Sequence, residues 1–475
     1  MADEIWRWDA TRMAEAIARR EVASREVVSA CLARLAAVNP ALNAVTVDLG
    51  AEALAAADRA DEAVRRGDAL GPLHGVPVAI KENVDQAGCA TTNGVVAYRD
   101  LVASADSPVV ANLRAAGAVF LGRTNTPAFS FRLDTANDLR GTTVNPWSRG
   151  HTPGGSSGGA AAAVAAGIVP VAHGNDIAGS IRYPAYACGL VGLRPSFGRV
   201  PAFNPTATAE RSISSQLLSV QGPIARSVRD LALALGAMAV RDSRDPWWVP
   251  APLQGRGPAA PVRVAVVTAP DDLDGARLHP AVAAAMGQAA AWLAEAGYEI
   301  VDRPTPGFTR AKELWFGMQM PEIREYLWPL IEQHGDDGIR RAMGLMLEAH
   351  PAADGVAYMK ALALRARVVR DWQQFLDEVP LVLAPVCTEP VYRKGFDLES
   401  ADRTAAMWRE SVTLTAVPVL GLPGLAVPTG VVDGLPMGVQ IVGPRFREDL
   451  CLAAGAAIEA RAGMLARVPV DVAGA

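Results

Sequence analysis

Short apolar runs alternate with helix-patterned segments along nearly the whole 475-residue chain, and this alternation restricts the fold more than any other feature. The runs at 75–80, 118–121, 262–267, 381–384, 424–427 and 438–442 are too short for helices and read as core strands. Residues 107–116, 160–166, 280–296 and 450–461 read as helices between them. Residues 9–65 also read as helices. Asp9 or Thr11 can cap the first, and a second run from Ser24 carries Val27, Val28, Cys31, Leu32 and Leu35 before stopping at Asn39-Pro40. Strands apolar on both sides need cover on both faces, so the expected class is α/β, a sheet between helical layers. Length admits about three domains or one large α/β unit. Residues 305–375 read as long helices bearing Trp315, Phe316, Met318, Met320, Tyr326 and Trp328. The proline-rich stretch 245–261 is the weakest link, and its Trp247-Trp248 pair predicts that it packs.

Composition removes several functions. With 45 basic and 50 acidic side chains the net charge is −5, and no basic stripe exists, so a nucleic acid is not expected as partner. The five cysteines (Cys31, Cys89, Cys188, Cys387, Cys451) lie far apart, with no CxxC pair. This argues against a disulfide framework or a zinc finger and suits a reducing cytosol. The amino-terminal MADEIWRWDATRMAEAIARRE lacks the apolar core of a signal peptide. No run of about 18 apolar residues exists to span a membrane; the nearest, 158–172, is broken by Pro170. The expectation is a cytoplasmic protein without metal or cofactor, because no His/Cys/Asp cluster has ligand spacing.

Three places could carry chemistry. Only four of the 45 basic residues are lysines (Lys81, Lys312, Lys360, Lys394), leaving 41 arginines. One of the four, Lys81, directly follows an apolar strand. A buried lysine can act as a neutral base where an arginine cannot. The plain alternative is an ion pair with Glu82 or Asp85. The second place is Gly154-Gly-Ser-Ser-Gly-Gly159. It lets backbone approach a ligand and fits the G-x-S-x-G pattern at Ser156, but a flexible surface loop satisfies the same string. It lacks the GK[ST] ending of a phosphate loop. The third is Asp176-Ile-Ala-Gly-Ser-Ile-Arg182, a small-residue turn that can expose Ser180 beside backbone N–H groups. It can also be a plain turn with Arg182 salt-bridged to Asp176.

The order and spacing of these three places resemble the amidase signature family. The resemblance extends through Gly75-Val-Pro-Val-Ala-Ile-Lys-Glu-Asn83, Gly122-Arg-Thr-Asn-Thr-Pro127, Asn145-Pro146, Gly189-Leu-Val-Gly-Leu-Arg-Pro195 and Gln221-Gly-Pro223. It continues to Leu422-Pro-Gly-Leu-Ala-Val-Pro428 and Gly434-Leu-Pro-Met-Gly-Val-Gln440. It implies a single α/β/α domain over 1–475 with a mixed central sheet. The N-terminal helices would span 1–70, the catalytic core 71–230, a helical substrate-pocket region 305–375 and the remainder of the sheet 376–475. It further implies a Ser-Ser-Lys triad. Ser180 would be the nucleophile, Ser156 the bridging serine after a cis peptide bond from Gly155, and Lys81 the base. The oxyanion hole would comprise the N–H groups of Ile177, Ala178, Gly179 and Ser180, with Asp176, Arg182, Ser157 and Gly155 in support. One departure stands out. The family's turn more often reads Asp-x-Gly-Gly-Ser, and here Ala178 replaces the first glycine. This would cost about 1–2 kcal/mol if φ there were positive.

The expected activity is hydrolysis of aliphatic or aryl amides through a seryl acyl-enzyme, with esters and carbamates (urethanes) as side substrates. The aromatic and methionine residues between 315 and 328 would suit a bulky acyl group, or they are ordinary core. Besides a non-catalytic binding protein, two alternatives stay open. One is an α/β-hydrolase esterase using Ser156 with a later histidine (His173, His279, His334 or His350). The other is the amidase subunit of a tRNA-dependent amidotransferase, which would need partner chains and an ammonia tunnel. A homodimer is compatible with the reading.

Overall fold

The computed structural model describes residues 2–255, 257 and 261–465. Its strands in chain order are β1 Val45–Asp48, β2 Pro77–Lys81, β3 Val119–Thr124, β4 Ala136–Asn137, β5 Gly141–Thr142, β6 Val171–Asp176 and β7 Val191–Arg194. There follow β8 Val220–Ala225, β9 Arg263–Val266, β10 Glu299–Val301, β11 Leu381–Pro385, β12 Gly424–Val432 and β13 Leu435–Val442. Eleven of them form one sheet in the order β1-β3-β2-β6-β8-β7-β12-β13-β11-β9-β10, and β4 pairs with β5 apart from it. The sheet is mixed: β3, β2 and β6 run parallel, as do β11, β9 and β10, whereas the neighbours of β8, β7, β12 and β13 are antiparallel. Every residue of β2, β3 and β8 is buried, without the period-two alternation of a half-exposed strand, so both faces are covered as the apolar runs require.

The structure departs from the sequence reading in three places. The second helix runs from Ser24 to Leu42, through Pro40, and ends where Asn43 takes a left-handed conformation at φ 52. The N-terminal region is not helical throughout. β1 lies between two helices and pairs antiparallel with β3; four residues between helical patterns give too short an alternation to register. The helix Thr309–Glu322 contains Pro321 and gives way to a π-helical turn, Ile323–Leu327, where removal of a ladder N–H permits the change of pitch. The pair at 247–248 does pack. The Trp247 ring lies 5.6 Å from Phe197, and Trp248 Nε1 donates to the Ala239 carbonyl at 3.1 Å. Part of that proline-rich stretch (256 and 258–260) falls outside the described residues.

For the site, the arrangement of β2 and β6 matters most. They are parallel neighbours, with Val78 opposite Val171 and Ala79 opposite Ala172. Their carboxyl ends therefore deliver Lys81 and Asn175-Asp176 to the same edge of the sheet. The all-buried helix Gly158–Ala165 packs beneath them, its alanines allowing a close approach.

Candidate active site

Lys81 is the last residue of β2 and is wholly buried. Its Nζ donates to Ser156 Oγ at 2.7 Å and to Asn175 Oδ1 at 2.7 Å. The ion-pair alternative fails, because both nearby carboxylates have other partners. Glu82 takes Arg140 at 2.7 Å together with Thr46 and Thr92, and Asp85 takes Thr91 and Thr206. Burial lowers the Lys81 pKa well below that of an ordinary lysine, and the charge of Asp176 opposes this without reversing it. Asn175 is thus the second oxygen that fixes the amine. It is locked in turn by Asn83, whose Oδ1 accepts from Asn175 Nδ2 at 2.9 Å. Arg123, also fully buried, donates to the carbonyls of Lys81 at 3.3 Å and Val84 at 2.6 Å, holding the backbone where β2 ends.

The glycine-serine segment is not a flexible surface loop; all six residues 154–159 are buried. The Gly155–Ser156 peptide is cis. A β-carbon on Gly155 would fall 2.3 Å from the Arg132 carbonyl oxygen, so only glycine fits. Ser157, expected in a supporting role, is buried and its Oγ has no hydrogen-bond partner among the described residues. It fills space against Gly174 and holds nothing by hydrogen bonding.

The third segment forms a turn locked from behind. Arg182 Nε and Nη2 each donate to the Asp176 carboxylate at 3.0 Å, and Nη1 donates to Gln440 Oε1 at 2.7 Å. Arg194 caps the Asp176 carbonyl at 2.6 Å. Burial alone would raise the Asp176 pKa, but the two guanidinium groups and the Gly179 N–H outweigh it and hold the carboxyl at about 2. Gly179 adopts φ 95, and a β-carbon there would meet the Leu414 side chain at 2.8 Å. Ala178 has no positive φ, so its methyl carries no backbone strain. Of the four N–H groups expected to form an oxyanion hole, one already has an acceptor within the turn. The Gly179 N–H donates to Asp176 Oδ1 at 2.8 Å and is spent on the turn. The N–H groups of Ile177, Ala178 and Ser180 have no acceptor among the described residues.

Ser156 and Ser180 line the same cavity, of about 1170 Å³, with Asn83, Asn175 and Ile177. Ser180 Oγ makes no hydrogen bond to a described residue, so the structure joins Lys81 to Ser156 and leaves Ser180 facing the cavity. The cavity's apolar lining includes Phe129, Phe131, Ile323, Tyr326, Leu327 and Leu330 on one side and Phe197, Phe203 and Trp247 elsewhere. Of the two readings of the aromatic and methionine residues between 315 and 328, ordinary core holds for most. Trp315, Phe316, Met318 and Met320 are buried core and do not line the cavity, whereas Tyr326 does. Trp315 still bears on the site, donating from Nε1 to the Ile177 carbonyl at 2.9 Å and bracing the turn. Asn175, Arg123 and Trp315 were missed as site residues, although Asn175 is adjacent to the turn motif. No histidine forms a hydrogen bond with Ser156 among the described residues. His173 meets Gln221, His279 caps the helix Pro280–Glu295, His350 stacks on Phe316, and His334 lies by Tyr98. The α/β-hydrolase alternative has no base.

The amidase family profile matches residues 26–452, and the chain belongs to this family. It is an amidase, an enzyme that hydrolyses the C–N bond of non-peptide amides. Among curated relatives, an indoleacetamide hydrolase of Bradyrhizobium diazoefficiens is 46% identical over 463 residues, covering 97% of this chain and 88% of that one. A glutamyl-tRNA(Gln) amidotransferase subunit of Roseiflexus castenholzii is 34% identical, covering 96% of each chain. Among solved structures, a 6-aminohexanoate cyclic dimer hydrolase complexed with substrate superposes at TM-score 0.83 with 30% identity, covering 99% of this chain and 100% of that one. A bacterial aryl acylamidase superposes at 0.81 with 27% identity, covering 98% of each. Among the described residues no helix is long and apolar enough to cross a membrane.

Proposed function

We propose that this amidase hydrolyses arylacetamides, with indole-3-acetamide the first substrate to test, through an acyl-enzyme on Ser180. The observation that carries the reading is the Lys81–Ser156 hydrogen bond of 2.7 Å at the wall of a cavity that Ser180 also lines. Neutral Lys81 takes the proton of Ser156 Oγ as Ser156 takes that of Ser180, and Ser180 Oγ forms a bond to the amide carbon. The oxyanion lies against the free N–H groups of Ile177, Ala178 and Ser180. The tetrahedral intermediate then expels the amine, which receives its proton back through Ser156 and Lys81, and water cleaves the resulting ester by the same relay. Asp176, Arg182 and Gly155 set the turn and the cis bond; Asn175 orients the lysine.

The aromatic and aliphatic cavity wall suits an aryl acyl group. Identity of 46% to an indoleacetamide hydrolase against 34% to a tRNA amidotransferase subunit supports the small-molecule reading. Aryl esters and carbamates present the same carbonyl and are proposed as slower substrates. A cytoplasmic setting belongs to the same proposal, supported by five unpaired cysteines of which four are buried. So do the absence of nucleic-acid binding, supported by the net charge of −5, and a homodimer. Light scattering tests the last, with twice the chain mass expected and the single-chain mass contradicting it. The activity is tested with purified protein and a panel of aryl and aliphatic primary amides. Release of ammonia fastest from arylacetamides is expected; equal or faster release from short aliphatic amides would contradict the substrate class.

A further inference from the structure

One buried polar side chain on the cavity wall has an oxygen without a partner. Gln319 lines the cavity and is 1% exposed. Its Nε2 lies 2.7 Å from Ser214 Oγ, and its Oε1 has no hydrogen bond to any described residue. Which end of the amide faces Ser214 is decided by counting protons. Ser214 Oγ also contacts Glu322 Oε2, while Glu322 Oε1 accepts from the Ser214 N–H at 2.9 Å and from Tyr358 OH at 2.7 Å. Burial pushes the Glu322 pKa up, but the hydrogen bonds from Ser212, Ser214 and Tyr358 prevail and hold it below the usual range. Glu322 is therefore a carboxylate and only accepts. The single proton of the Ser214 hydroxyl goes to Glu322, so Ser214 receives from Gln319 and must face its NH2. The carbonyl end is left over, fixed on the cavity wall.

Its place relative to the reacting centre follows from the helix Thr309–Glu322. Trp315 on that helix touches the Ile177 carbonyl, three residues before Ser180. Gln319 is four residues further on, one turn along the same face. Ser180 and Gln319 line the same cavity, so an acyl group attached at Ser180 and lying along this wall would extend its ring, rather than its carbonyl, toward Gln319.

We infer that Gln319 is a specificity-determining residue whose Oε1 accepts a hydrogen bond from a ring N–H of the acyl group, as an indole or other azole offers. This rests on the arylacetamide reading and sharpens it, since a buried acceptor left unpaired penalises every ring that lacks a donor. The leaving amine does not need this oxygen, because ammonia departs at the opposite side of the carbonyl from the ring.

The test compares indole-3-acetamide with 1-benzothiophene-3-acetamide, nearly the same shape without the N–H. In the unaltered enzyme kcat/KM is expected to favour the indole by about 10- to 100-fold. In Gln319→Met the ratio is expected to collapse to about one, through loss on the indole alone. A ratio near one in the unaltered enzyme, or an unchanged ratio in the variant, would overturn the inference while leaving arylacetamide hydrolysis standing. Calorimetric Kd values for both amides on Ser180→Ala separate the two failures. Absence of turnover for both ligands would defeat the arylacetamide reading, and equal affinities would still defeat the role of Gln319. Where Gln319→Met does not melt cooperatively, Ser214→Ala replaces it. With nothing to hold the amide orientation, severalfold loss of discrimination is expected, and full retention would overturn the assignment.

Discussion

Lys81 and Lys312 are both buried, and in opposite manners. Lys312, on the helix that forms the cavity wall, meets Asp274 in an ion pair and lies 5.8 Å from the Phe316 ring centre, the ordinary way to bury an ammonium. Lys81, in the core between β2 and β6, is given a hydroxyl and an amide oxygen and no carboxylate. One setting supplies a carboxylate partner, and the other, by burial, disfavours the charged form of its amine. The same division separates the two regions. The core is built from short contiguous motifs, whereas the wall is assembled from side chains that meet only after folding.

The largest difference between the regions is expected from exchanging each lysine for arginine. Lys81→Arg puts a permanent charge where burial favours a neutral amine and loses the base, and kcat should fall about 10³- to 10⁴-fold in protein that still melts cooperatively. Lys312→Arg should retain activity, and an equal loss in both would break the comparison. The sign of the pH dependence follows from burial. The active form lacks the proton and burial favours that form, so kcat/KM should rise with pH and level off through a pKa below that of a free lysine, about 10.4. An inflection at the free value would contradict the burial argument.

Next comes the turn. Arg182→Met strips Asp176 of two hydrogen bonds in a fully buried setting, where breaking such a pair costs about 3–5 kcal/mol; thermal unfolding should report it. The Asp176 carboxyl is held at about 2, below its unfolded value of about 3.9. Its contribution is therefore complete above pH 4 and lost as pH falls through 2, an effect on the order of 2 kcal/mol. Acid unfolding midpoints for the parent and Asp176→Asn measure it. Gly179→Ala comes below Arg182→Met. It meets Leu414 and a left-handed φ together, and a loss of about 2 kcal/mol is expected, against a change within about 0.5 kcal/mol for Ala178→Gly. Equal effects would mean the strained position of the turn has been misassigned. A smaller loss than that of Gly179→Ala is expected at the junction of the two regions. Trp315→Phe preserves the ring and removes the bond to Ile177, and it should cost about 1 kcal/mol and lower kcat severalfold without raising KM.

Much of the core was legible because its residues follow one another in the chain. Lys81 ends an apolar strand, Ser156 sits in a glycine run, and Asp176 to Arg182 is one turn, so pattern and chemistry coincide. Asn175 is one residue from that turn, yet an asparagine carries no signal until a lysine is placed opposite it across two parallel strands. β1 was hidden by its length, and the helix end beyond Pro40 by the rule that proline stops helices, which places the end three residues before the cap at Asn43. The wall was the less legible region. Trp315, Phe316, Met318 and Met320 have the composition of a pocket and the position of a core. The residues that do line the cavity lie partly in a π-helical turn after Pro321, whose pitch no periodicity of 3.6 describes. Gln319 has no motif at all, and its oxygen becomes informative only when Ser214 and Glu322, more than a hundred residues apart, meet beside it.

The central claim is that Ser180, not Ser156, forms the covalent bond, with Lys81 acting through Ser156. Treating the protein with a fluorophosphonate and mapping the adduct by peptide mass spectrometry tests it directly. A single adduct on the peptide carrying Ser180 is expected, absent in Ser180→Ala and slowed to a trace in Ser156→Ala. An adduct on Ser156, or undiminished labelling of Ser180→Ala, would contradict it.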